Sequence, residues 1–389
     1  MGSAHVIYSK DDMLVALTTL VSNFLDTDKG TLRLNCATQG NRPACTFNVS
    51  KLNDLHVLRR KLRNGEIEIK KDTSFRDYQL VIMKEVMSIL TRNGGGFIKC
   101  TTLSEEVGSW PFLFKLLKTY GGVVEAEPPS GSKPRVLYGI CFISPEGNVT
   151  CDRGLEALVG DNGFEHAVVC PQQAVSDAAL QGATTAVANT LWDRHRVVGY
   201  VTVQFISFED RLRQFLWAKG LSLGVSSPHA TIGALRKTQR PGLTPTSDFI
   251  DATAAAHGSE RLGGDDERAF IHIPITTSLQ LVGVRDDLFF KLCGMHGMSW
   301  DQDTKTGLLF FLGESVVAGR LNFVAIAKDL GRACEMMSEC CSFIQGKFTS
   351  TAAGNLNKAT DDPYAMGTVA LTVKKAVKMF QTPLNLQRK

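Results

Sequence analysis

Eight histidines (His5, His56, His166, His195, His229, His257, His272 and His296) are dispersed along the 389 residues. None falls in the HExxH turn that binds zinc, and no GxSxG sequence offers a nucleophile elbow. His296, set between Met295 and Gly297, reads as local structure rather than a base. Ten cysteines are present, but Cys36, Cys45, Cys100, Cys141, Cys151, Cys170 and Cys293 stand singly, without a CxxC pair for zinc or redox work. Cys334, Cys340 and Cys341 lie in one helical run and read as a buried apolar stripe, because free Cys behaves as a small hydrophobe. Nothing calls for disulfides, so a reducing compartment is expected, and the sequons at Asn48 and Asn148 are then chance matches. Asn93-Gly94-Gly95-Gly96 suggests a phosphate cradle, but its order is wrong. It closes a helix and precedes an apolar run, whereas a cradle follows a strand and opens a helix. Arg59-Arg60-Lys61 with Arg63 is the one dense basic run, either a solvated helix face or a docking face for an acidic partner.

Composition narrows the remaining classes. Apolar residues make up 43% and charged residues 21%, which suits a folded chain of two domains or one domain of lobes. Lys and Arg exceed Asp and Glu by 43 to 39, too small a surplus for a nucleic-acid surface. No apolar run reaches membrane length, and the first residues lack the apolar core of a signal peptide.

The elements are read as follows. A strand at 5–8 leads to a helix capped by Ser9, with Met13, Leu14, Leu17, Leu20, Val21 and Phe24 on one face. Strands are expected at 31–34 and 44–49, and helices at 52–63 and 75–91. After the glycines come a strand at 97–99 and a helix over 104–120, which Gly121-Gly122 ends. Strands follow at 123–126, 136–143 and 148–151, then a helix over 174–195 and paired strands at 199–208 and 213–220. Residues 236–268 read as a long surface loop. Beyond them lie a strand at 269–273, a helix over 285–294, a strand at 307–311 and a helix over 323–348. The tail from 349 should be ordered only where something pins it.

Two α+β lobes joined at a short hinge form a layout that can clamp a nucleotide between two sheets. The hinge strand Val123-Val124-Glu125-Ala126 and the pair GYVTVQF and QFLWAKGLSLGVS resemble the ATP-grasp fold. GGVVEAEPPS (121–130), VVGYVTVQFISF (197–208), LWAKGLSLGVS (216–226) and FFKLCGMHGMSWDQDTKTGLLFFL (289–312) narrow the resemblance. Together they are similar to the ATP-grasp-like C-terminal module of the IQ-motif-containing protein H family. The expected fold class is therefore α/β with α+β lobes, an ATP-grasp-like two-lobe fold with a C-terminal strand-plus-long-helix extension. The expected divisions are 1–120 and 121–235 for the lobes, 236–268 for the loop, 269–348 for the extension and 349–389 for the tail.

The resemblance also implies a site, which this sequence departs from. The family carries Asp where Gln204 stands, and acidic residues at Gly220 and Ser222. A magnesium nucleotide site needs hard anionic oxygen, and a lost unit charge at 4 Å is worth roughly 4 kcal/mol at an effective dielectric near 20. The metal site is expected to be lost. Arg33 falls near the family's phosphate lysine and either meets a phosphate as a fork or faces solvent as a strand residue. Gly40 remains in the phosphate loop, but Asn41-Arg42-Pro43 stiffens it. Glu125 is either the acid beside the adenine or an ordinary hinge residue. What the resemblance implies is a catalytically degenerate module acting as a structural or interaction protein of the ciliary or flagellar axoneme, in the cytoplasm. Its expected partners are other axonemal proteins, microtubule-associated ones among them, ordering the 236–268 loop and the tail; nucleic acid and membrane are not expected. No cofactor is expected, residual ATP or ADP binding being the open exception, and the absence of a basic Ile-Gln helix gives calmodulin no support. The alternatives are an active ATP-dependent carboxylate–amine ligase and a nucleotide-binding sensor without turnover.

Overall fold

The computed structural model describes residues 4–23, 28–35, 44–64, 66, 75–92, 96–129, 132–161, 164–210, 213–226, 232–233, 268–311, 316–348 and 362–381. It divides into two units, Met1–Pro134 with Phe208–Lys219, and Arg135–Ser207 with Gly220–Lys389.

Local capping starts the first unit. Ser9 Oγ accepts from the Asp12 N–H at 3.1 Å while the Asp12 carboxylate accepts from the Tyr8 N–H at 2.9 Å, a reciprocal box. It opens α1 (Lys10–Asn23) directly after β1 (Ala4–Ile7). Then follow β2 (Lys29–Leu34), β3 (Cys45–Asn48), α2 (Asn53–Arg63), α3 (Phe75–Thr91), α4 (Gly96–Cys100), β4 (Thr101–Leu103), α5 (Trp110–Tyr120) and β5 (Gly122–Ala126). The strands pair antiparallel in the order β1-β5-β2-β3-β4. Burial alternates along β5, as expected of a sheet with one face on a core. Leu32 and Val124 from the sheet, Met13, Leu17 and Leu20 from α1, Val86 and Leu90 from α3, and Leu113 and Leu117 from α5 are all sealed from solvent.

Two expectations fail in this unit. Residues 97–99 are helical, and the strand comes at 101–103, since so short an apolar run does not distinguish the two periods. The helix expected from 104 begins at Trp110. Gly108 takes φ +63° and Ser109 is extended, and Pro111 then fixes the first turn. Of the basic run, Arg59 is buried against Asp28 at 2.5 Å, while Arg60 and Lys61 are exposed.

The second unit contains β6 (Arg135–Ile143), β7 (Val149–Cys151), β8 (Leu155–Val159), β9 (Glu165–Cys170), α6 (Asp177–His195), β10 (Gly199–Asp210) and β11 (Arg213–Leu223). These are followed by β12 (Ala269–Thr277), α7 (Asp286–Met295), β13 (Trp300–Asp301), β14 (Thr306–Phe310), β15 (Arg320–Ala327), α8 (Leu330–Lys347) and α9 (Met366–Gln381). The sheet runs β11-β10-β6-β8-β9-β12-β15-β14-β13, with β7 paired to β6; residues 208–219 of the β10–β11 hairpin count with the first unit. Ile271, Ile273, Phe323 and Ala325 pack on one face under Met337, Cys340 and Cys341 of α8 and Val369 and Val373 of α9. Phe270, Val324 and Ile326 join Ile140, Leu155 and Val168 on the other.

Strands buried on both faces account for the corrections here. β8 and β9 were not expected, because their buried runs carry no alternation. The helix expected over 323–348 is two elements, β15 and α8. Asp329 separates them, its Oδ1 accepting from the Arg332 N–H at 2.8 Å. Within it Cys334, Cys340 and Cys341 are the expected buried stripe, and burial pushes the Cys334 thiol up to about 12. The tail contains α9, whose Met366, Val369, Ala370, Val373 and Ala376 belong to the core. The loop expected over 236–268 lies outside the described residues except for Arg268.

A buried imidazole sets an acid limit for this unit. His272 is 3% exposed, and its Nε2 lies 2.7 Å from Asn322 Oδ1. Burial lowers its pKa from 6.5 to about 4, against the opposing hydrogen bond that the ring donates to Asn322 Oδ1. Between those values the unfolded chain binds the extra proton, so stability rises with pH across that window. The neutral form contributes fully above pH 6.5, and roughly 3 kcal/mol is lost on going down to pH 4. His272→Gln is expected to flatten the pH 4–6.5 limb of urea-unfolding free energies; an unchanged slope would show that another group sets it.

Candidate functional site

The first unit gathers charge on the face of its sheet away from the helices. Strand register puts Arg33 of β2 opposite Val123 and Thr31 opposite Glu125 of β5, so Arg33 and Glu125 are diagonal neighbours. Arg33 Nε lies 3.6 Å from Glu125 Oε2, with the two side chains 30% and 14% exposed. Thr31 is buried beside them, and its hydroxyl has no hydrogen-bond partner among the described residues. Lys219, from the end of the hairpin that belongs to this unit, completes the group. Burial lowers its pKa, the Arg33 guanidinium lowers it further, and Glu125 and Glu127 oppose both. Two cations and two carboxylates in one partly buried patch can hold a polyanion or a polar, hydrogen-bonding ring. The loop at 36–43, where phosphate contact was expected, lies outside the described residues.

The second unit carries Gln204, Gly220 and Ser222, the positions where the family resemblance implies metal-ligating acids. Gln204 of β10 pairs in register with Tyr138 of β6. Its Nε2 donates to Glu165 Oε1 at 2.8 Å, and Tyr138 OH donates to Glu165 Oε2. Burial, and then the charge of Glu165, raise the Tyr138 phenol far above its usual range, so it stays protonated as a donor. Glu165 reaches this face through a bulge. Leu158 opposes Ala167, but Val159 opposes Glu165, so the register skips one residue at His166. The skipped residue turns Glu165 towards Tyr138 and leaves His166 on the opposite face, its Nδ1 2.7 Å from Thr372 Oγ1 of α9.

The structure brings Gln204 and Gly220 together. A Cβ on Gly220 would stand 3.2 Å from Gln204 Oε1. Ser222 is exposed farther along β11. The three positions thus offer one amide, no side chain and one solvated hydroxyl. Donor hydrogens, not lone pairs, face the one nearby carboxylate. That donor set does not fit magnesium, which takes one or two carboxylates with phosphates and waters. Among the described residues no three His, Cys, Asp or Glu side chains gather to hold a metal. Sequence reasoning missed Lys219, Tyr138 and Glu165. Lys219 stood inside the family-like block LWAKGLSLGVS and was legible there; Glu165 was not, because its face depends on the bulge.

Helices on one face of an antiparallel sheet, followed by a larger sheet with an antiparallel hairpin, form an α/β fold of the ATP-grasp-like class. A model of the IQCH-like ATP-grasp family matches residues 2–239, more than half of the chain, and the chain belongs to that family. It is 26% identical over 231 residues to IQ motif-containing protein H of Danio rerio, covering 56% of this chain and 20% of that protein. The chain thus spans about a fifth of that relative's length. Among solved structures it is similar to N5-carboxyaminoimidazole ribonucleotide synthetase in an ADP complex, with a TM-score of 0.42 and 10% identity over 87% of this chain and 66% of that one. The synthetase of the same name from Thermus thermophilus gives a TM-score of 0.38 and 18% identity, covering 63% and 59%. Among the described residues no helix is long and apolar enough to cross a membrane.

Proposed function

We propose that this chain is an ATP-grasp module that has lost phosphoryl transfer and works as a structural or interaction element of a ciliary or flagellar axoneme. One observation carries the loss of chemistry. Gln204, Gly220 and Ser222 stand where the family resemblance implies acids, and the Gln204 amide is held by Glu165 rather than presented to a cation. Each absent unit charge at 4 Å would cost a magnesium–phosphate cluster roughly 4 kcal/mol at an effective dielectric near 20, and the carboxylate beside Gln204, Glu165, is engaged by the Gln204 amide and the Tyr138 hydroxyl. The axonemal role, with other axonemal proteins as partners, follows from what the resemblance implies for place. Because α9 packs inside its own unit, the partner surface lies elsewhere, with the 236–268 segment the first candidate.

A second reading, nucleotide binding without turnover, is favoured by the Arg33–Glu125–Lys219 group, which keeps its charges together despite the missing metal ligands. One set of measurements separates the readings. Purified chain incubated with ATP and magnesium is expected to release no ADP above a heat-inactivated control. Magnesium-dependent release abolished by Arg33→Ala would overturn the proposal. Calorimetric ATP binding that ignores magnesium and is lost in Lys219→Ala would favour the sensor. Cross-linking within intact flagella tests the axonemal half, which fails if no axonemal protein is linked to the chain.

A further inference from the structure

Two cysteines that share no sequence motif face each other in the second unit. Cys141 of β6 and Cys151 of β7 are direct partners in the antiparallel register, and both are free thiols. Ladder hydrogen bonds run from the Asp152 N–H to the Ile140 carbonyl and from the Ser144 N–H to the Asn148 carbonyl, each 2.9 Å. Antiparallel pairs alternate between bonded and non-bonded kinds, so Cys141–Cys151, one step from the bonded Ile140–Asp152 pair, is non-hydrogen-bonded. Such pairs hold their Cα atoms about 4.5 Å apart, inside the roughly 4.4–6.8 Å that a disulfide spans. The strand register therefore brings the two cysteines within disulfide reach.

The two thiols differ in the way a reacting pair requires. Cys141 is 1% exposed, whereas Cys151 is half-buried. All other described cysteines are buried. Cys151 Sγ lies 3.3 Å from Thr185 Oγ1 of α6 and a weak 4.0 Å from the Gln181 carbonyl. The Cys141 thiol donates to Cys151 and holds its pKa below the usual range, with Thr185 adding to this; burial and the neighbouring Asp152 act against both. Cys141, the donor, is pushed up by that bond and by burial. A half-buried cysteine whose thiolate is favoured by its neighbours, paired across the ladder with a sealed thiol, has the arrangement of a nucleophile beside a resolving partner.

We propose that Cys141 and Cys151 form a redox-active dithiol, in which a peroxide oxidises Cys151 and Cys141 resolves it as a cross-strand disulfide. The Cys151 thiolate attacks one peroxide oxygen, the O–O bond breaks, and hydroxide leaves. Cys151 becomes a sulfenic acid, losing two electrons to the peroxide. Cys141 sulfur then attacks the sulfenyl sulfur; the Cys141 proton and the sulfenyl hydroxyl depart as water.

The test uses the full chain carrying Cys36→Ser, because Cys36 lies outside the described residues. Reduced protein is treated with equimolar hydrogen peroxide, blocked with iodoacetamide, and mapped without reductant by mass spectrometry. The expected product is one linkage, Cys141 to Cys151. In Cys141→Ser the product should be a dimedone-trapped sulfenic acid at Cys151, and in Cys151→Ser Cys141 should stay reduced. In the untreated chain, iodoacetamide should modify Cys151 at least about tenfold faster than any buried cysteine, as thiolate character and access require. Where a serine variant fails to fold, the linkage and the labelling rate in the parent chain decide. A disulfide elsewhere, no disulfide, or Cys151 labelling no faster than the buried thiols would overturn the proposal.

Discussion

Arg135→Met is expected to destabilise the second unit by roughly 3–5 kcal/mol, the range for removing one partner of a buried ion pair. Glu156 is 2% exposed, and Arg135 grips it with two parallel bonds, Nε to Oε1 and Nη2 to Oε2, each 2.5 Å. Its other contact is the Gln173 N–H at 3.3 Å. Methionine fills the space of the arginine stem, so the loss reports the stranded carboxylate rather than a cavity. Arg135→Met/Glu156→Leu should recover most of the difference, since an apolar pair often replaces a buried ionic one without penalty. A residue of about 1 kcal/mol should remain for the Gln173 N–H that loses its acceptor. Urea unfolding followed by circular dichroism measures all three chains. A single variant costing under about 1 kcal/mol would mean that water reaches Glu156.

Gly30→Ala should disrupt the first unit at about the upper end of the 1–3 kcal/mol typical of overpacking, or beyond it. An alanine Cβ would fall 1.9 Å from Phe47 Cζ and 2.4 Å from the Glu125 carbonyl oxygen. The carbonyl is fixed by the β2–β5 ladder, and the Phe47 ring is fully buried, so neither yields cheaply. Hydrogen exchange should accelerate at 29–34 and 122–126, and chemical unfolding should start earlier. Gly30→Ala/Phe47→Leu should cost less than the sum of its parts, because the shortened side chain admits the new methyl group. Strict additivity would place the clash elsewhere.

What could be read in advance divides along physical lines. Elements set by local signals were legible: Ser9 and Asp12 box the first helix, Gly121 takes φ +69° to end α5, and residues 75–91 form α3 at the expected bounds. Where burial on both faces erases the two-residue alternation, reading failed, as at β8, β9 and β15. Arg33 and Glu125 were found through their place in a family-like pattern, and the structure pairs them. Lys219 belongs to that group only through the return of a hairpin. Glu165 needed a bulge, and the Cys141–Cys151 pair needed a strand register; single-sequence spacing encodes neither.

The helix α9 bears on how the chain is made. His166 of β9 meets Thr372, 206 residues later, and Val369 and Val373 close the same core as Ile271 and Phe323. During synthesis the sheet of the second unit therefore emerges before its cover. At a ribosomal rate of about 5–20 residues per second, the interval between β9 and α9 lasts on the order of ten seconds or more. For that time the apolar surface that α9 covers in the finished unit stands open to neighbouring nascent chains. Closure of this unit thus comes late, and a chain halted at Phe348 would present to chaperones the surface that the finished protein hides.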